Sequence, residues 1–74
     1  MLKIQLNKEI KDKIELGYYL KAKELVQFVI DNTECVVEGN KSADKIALQD
    51  IKIDGKYIKS AMVDIEDSLL ILTF

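Results

Sequence analysis

The sequence predicts a single small two-layer α+β domain over residues 1–74, in which an N-terminal strand and one long or Gly17-broken helix pack on an antiparallel meander of three to four strands. Three observations carry that expectation. The chain opens on a segment of period two, apolar residues at helical spacing run from Ile10 to Val29, and Asp54-Gly55 stands between two apolar segments as a hairpin turn.

Leu2, Ile4 and Leu6 alternate with Lys3 and Gln5, the pattern of a strand with one buried face. Asn7 offers a side-chain oxygen at a helix N-cap, and Glu9 and Asp12 follow where the positive end of a helix favours acids. Ile10, Ile14, Tyr18, Ala22, Leu25 and Val29 then share one helical face. Two features disturb this helix. Gly17 in its middle costs about 1 kcal/mol relative to Ala, and Leu16 with Leu20 forms an apolar pair opposite the main stripe. Either the helix breaks at Gly17 and Leu20 turns inward beside Tyr19 and Val26, or it continues and exposes Leu16 and Leu20 as a contact surface.

The helix is expected to end near Asp31 and Asn32, which suit turns. Glu34 to Glu38 is a strand candidate, and Gly39-Asn40 supplies a tight turn. Lys45 to Ile53 reads as a longer strand with a phase slip between Leu48 and Ile51, pointing to a β-bulge near Gln49 and Asp50. A short helix over Ser42 to Asp50, capped by Ser42, competes with it. Asp54-Gly55 meets the demand of a type I′ turn for positive φ at both central residues, and Tyr57 to Ile65 forms the second arm. After a polar turn at Glu66-Asp67-Ser68, Leu69 to Phe74 is apolar on both faces, as in a central strand or one covered by another molecule.

Composition excludes several function classes. All 11 basic residues are Lys, against 13 acids, for a net charge of −2, and there is no His or Trp. The single cysteine, Cys35, cannot close an internal disulfide, and without His or a second Cys there is no tetrahedral zinc set. Its flanking Val36 and Val37 read it as a small apolar strand residue. At this length folding buries only about 60% of the unfolded chain's surface, so tight packing or self-association must supply stability. The N-terminus lacks the basic and long apolar regions of a signal peptide, which predicts a cytoplasmic protein. The longest apolar run, Leu69 to Leu72, is far short of the ~20 residues of a membrane span.

Catalysis finds little support. The commonest general base is missing, and Asp64, Glu66 and Asp67 have the spacing of a solvated turn rather than of a metal loop. The three glycines are too scattered to cradle a phosphate, so no cofactor is expected. Lys52, Lys56, Tyr57 and Lys59 gather around the hairpin as a minimal single-strand nucleic-acid platform, which a pI near 5.0 and the lack of Arg oppose. Apolar surface is the remaining resource. Leu16 and Leu20, with Leu70, Leu72 and Phe74 of the last strand, exceed what one small core hides and form the candidate protein interface. The expected function is therefore a non-enzymatic protein-interaction module, an adaptor, regulator or inhibitor, self-associating as a homodimer through the last strand or the helix pair. Its acidic helix residues Glu9, Asp12, Glu24 and Asp31, if they line up outward, would favour a basic partner. The alternative is a nucleic-acid-binding module using the lysine hairpin.

Overall fold

The computed structural model describes residues 1–18, 20–41 and 45–74. Strand β1 spans Leu2–Gln5 and helix α1 Lys8–Glu15, and the Asn7 side chain accepts the Ile10 N–H at 2.8 Å as the expected N-cap. The helix breaks at Gly17. With φ at +81°, this residue lets the Gly17 N–H reach the Ile14 carbonyl and the Tyr18 N–H the Lys13 carbonyl, at 3.0 and 2.9 Å. That pair of bonds is a Schellman motif, which satisfies carbonyls the helix end would otherwise orphan. Helix α2, Ala22–Asn32, starts afresh, with the Glu24 carboxylate accepting the Lys21 N–H at 3.0 Å. Asn32 and Thr33 close it, their side chains donating to the Phe28 and Val29 carbonyls.

The break decides which residues face inward. Tyr18, placed by its spacing on the core stripe, is 66% exposed, because the Schellman turn carries it off the α1 axis. Leu20 turns inward against the core, and Val26, Phe28 and Val29 become the buried face of α2. Tyr19 lies outside the described residues.

The strands form two antiparallel sheets instead of one meander. One contains β2 (Val37–Glu38), β3 (Lys52–Ile53) and β4 (Lys56–Tyr57) in that order. The other has β6 (Leu69–Thr73) at its centre, between β1 and β5 (Ser60–Asp64). The hairpin at Asp54-Gly55 is present, with φ of 50° and 82° at the two residues. The Asp54 carboxylate also accepts the Val36 N–H at 2.8 Å, holding the segment before β2 against the turn.

Three expected strands are shorter than their patterns suggested, and that expected over Glu34 to Glu38 pairs only at Val37–Glu38. Residues Leu48–Asp50 make a 3₁₀ turn in place of a bulged strand, closed by the Ile51 N–H to Leu48 carbonyl bond. The competing helix over Ser42 to Asp50 is limited to this turn among the described residues; Ser42, Ala43 and Asp44 lie outside them. The arm from Tyr57 to Ile65 is divided between the two sheets, as the end of β4 and as β5. The Ile58 N–H bonds to the Ile51 carbonyl in the first sheet, and the Lys59 N–H to the Thr73 carbonyl in the second. Exposure of both Lys59 and Ser60 marks the slip in alternation where the strand turns its corner.

In β6, Leu70 pairs with Ile4 and Val63, and Leu72 with Leu2 and Ala61, all on the face toward the helices. Ile4, Leu6, Ile10, Val26, Phe28, Val29, Ile51, Ile53, Ile58, Leu70 and Leu72 form one buried cluster joining both helices to both sheets. Val26, Val29 and Ile51 line an apolar space of about 10 Å³ within it, too small for a ligand.

Candidate protein-interaction surface

Antiparallel pairing puts residues directly opposite one another on the same face of a sheet. Register therefore fixes the second face of the β1–β6–β5 sheet. Ile71 lies between Lys3 and Met62, Leu69 between Gln5 and Asp64, and Thr73 beside Ser60. Leu69 and Ile71 are half-buried, yet neither packs against the core cluster, and Met62 is 60% exposed. Among the described residues, this face is covered by neither helix nor the other sheet.

The face has an apolar centre and a polar edge. Leu69, Ile71 and Met62 are flanked by Lys3 and Gln5 on the β1 side, and by Ser60 and Asp64 on the β5 side. Several rim groups already have partners. The Ser60 and Thr73 hydroxyls bond to each other, Gln5 Nε2 donates to the Ser68 carbonyl at 3.1 Å, and an Asp64 carboxylate oxygen accepts the Asp67 N–H at 3.1 Å. Covering the centre would thus bury apolar area while orphaning few polar groups, the anatomy of a protein interface.

Several residues predicted for an interface stand elsewhere. Leu70 and Leu72, 0% and 1% exposed, belong to the core: their neighbours Leu69 and Ile71 carry the outward surface, and a strand apolar on both faces gives no sign of which parity faces in. Leu20 packs on the core and separates from Leu16, which stays 74% exposed at the end of α1. Phe74, 37% exposed, lines an open cleft with Met1, Leu2, Cys35 and Ile53 at the end of the inner face. Leu69, Ile71 and Met62 were missed, because the register that pairs Leu70 with Ile4, and so turns Leu69 and Ile71 outward, is set by long-range pairing.

The lysine hairpin does not assemble a common platform. Lys52 and Tyr57 share one face, with the ammonium 4.8 Å from the ring centroid and Glu38 directly opposite Lys52. Cation and ring thus engage each other, and a carboxylate offsets the charge. Lys56 pairs with Ile53 and so lies on the other face, while Lys59 sits at the strand corner.

Of the helix acids, Glu9, Glu24 and Asp31 do line one cleft, about 360 Å³, between α1 and α2, and Asp12 does not. Lys13 divides them, 3.9 Å from the Glu9 carboxylate and 3.2 Å from that of Glu24. No family model, curated protein or solved structure matches this chain. Among the described residues, no group of three or more His, Cys, Asp or Glu side chains could hold a metal ion. Asp64, Glu66 and Asp67 are spread along a turn in which Asp64 caps the Asp67 backbone. No helix of the described residues is long and apolar enough to cross a membrane.

Proposed function

We propose that this chain is a non-enzymatic protein-interaction module of the cytoplasm, acting as an adaptor, regulator or inhibitor by laying the outer face of its β1–β6–β5 sheet on another protein surface. The observation that carries this reading is the stripe Leu69, Ile71 and Met62, apolar, outside the core and set within a polar rim. An antiparallel sheet normally shows a polar face to water, so an apolar centre there is the feature that calls for a partner. The net charge of −2 adds weak steering toward a basic surface.

Nuclease-treated capture from lysate, with the wild-type chain and an Ile71→Lys variant side by side, tests the reading. A protein retained by the wild type and lost by a folded variant supports it. Equal retention by both would place the contact elsewhere and reject the sheet face.

A further inference from the structure

The charges on the open sheet face select a particular occupant. Lys3 and Gln5 stand on the β1 side, Met62 and Asp64 on the β5 side, and Leu69 and Ile71 run between them. The surface thus carries one cation, Lys3, on one edge, one anion, Asp64, on the other, and is apolar along its middle. Two such faces can be stacked about a two-fold axis in the plane between them in two principal ways. An axis across the strands through Ile71 sets Lys3 on Lys3 of the partner subunit, a like-charge contact. An axis along β6 exchanges the outer strands: Ile71 meets Ile71 of the partner subunit, Lys3 lies over the partner's Met62, and Gln5 over the partner's Asp64. A lysine reaches one pleat, roughly 7 Å, so Lys3 also approaches the partner's Asp64, even with the usual twist of about 30° between stacked sheets.

We infer that a second copy of this chain docks on the face, as an isologous dimer with its two-fold axis along β6. The inference rests on the reading of the face as a protein-docking surface and names its occupant. Charge complementarity supplies the choice, because with the axis through Ile71 the operation along β6 is the one that brings Lys3 toward the partner's Asp64 and not onto its own copy. Size sets the strength. Three strands by about five residues cover roughly 240 Å² in projection, against about 800 Å² per partner in a standard interface, so the dimer is weak, with dissociation in the micromolar range or above.

Sedimentation equilibrium of the full chain, from about 10 µM to about 1 mM, tests this directly. The wild type should show reversible dimerisation, weakened by salt. Lys3→Glu and Met62→Lys, both at exposed positions, should each weaken it about tenfold, and the double variant should recover most of the loss. Within one chain these two residues are separated by β6, about 10 Å across the sheet, so recovery reports a contact between copies. The other axis would pair each altered residue with itself and give no recovery. A wild type monomeric at about 1 mM, or a double variant no better than the singles, overturns the second-copy proposal. A monomeric chain that still loses a captured protein on Ile71→Lys overturns this proposal alone, whereas no effect of Ile71→Lys on dimerisation or capture overturns the docking reading with it. Circular dichroism of each variant confirms the fold, and the exposed charge pair keeps the test valid if Ile71→Lys unfolds.

Discussion

Glu24 ties the two helices together through one carboxylate. One oxygen accepts the Lys21 N–H at the start of α2 and the other the Lys13 ammonium from α1, at 3.0 and 3.2 Å. The backbone hydrogen bond, then the lysine, hold its carboxyl below the ordinary value of 4.5, against a smaller opposing effect of desolvation. A carboxyl depressed in the folded state contributes stability that is fully present above its unfolded value, and that is lost as pH falls through the folded one. Glu24→Gln should therefore lower stability at neutral pH, and the gap to wild type should close as pH drops below 4.5. Urea unfolding of both proteins across that range checks it; a gap independent of pH would show that the charge contributes nothing. Because the side chain is 37% exposed, solvent screening keeps the effect small.

At the scale of elements, the decisive feature is the Schellman turn that divides α1 from α2. The backbone at Gly17 has φ at +81°, and a Cβ built there meets nothing within 4 Å among the described residues. Gly17→Ala should then cost about 1 kcal/mol of pure backbone strain, and Gly17→Asn less, as read by chemical denaturation. A much larger loss would mean that the substitution forces the two helices into one. Gly17 was legible in the sequence as a disturbance with two outcomes, because glycine in a helix is merely costly until the capping bonds are known. Asn7 and Asp54-Gly55 were unambiguous, since each signal is completed within a few residues. The segment before Ile53 was not: apolar spacing at Ile46, Leu48, Ile51 and Ile53 suits a bulged strand and a 3₁₀ turn alike, and the bond from Ile58 to Ile51 that fixes the outcome comes from the next arm of the hairpin. The outward parity of β6 was equally hidden, because it is set by pairing with β1 at the far end of the sequence.

Across the whole molecule, β6 serves two surfaces at once, and its alternate residues should separate folding from association. A domain of this length holds about 4 to 11 kcal/mol of stability at the usual per-residue value. Leu70, fully buried between Ile4 and Val63, belongs to the cluster that joins helices and sheets. Leu70→Ala should cost about 2 to 5 kcal/mol through lost transfer energy and the cavity left behind, a large share of that total. Ile71, one residue on, touches none of this cluster, and a polar substitution there removes only contacts along the outer face. Urea unfolding at low protein concentration should thus show Leu70→Ala strongly destabilised and Ile71→Lys close to wild type. At high concentration the wild type and Leu70→Ala should both gain further stability and Ile71→Lys should not, because a dimer that binds only the folded state shifts unfolding by mass action. If Ile71→Lys proved as destabilising as Leu70→Ala, the outer face would be part of the monomer's own support, and the division of labour along β6 would fail.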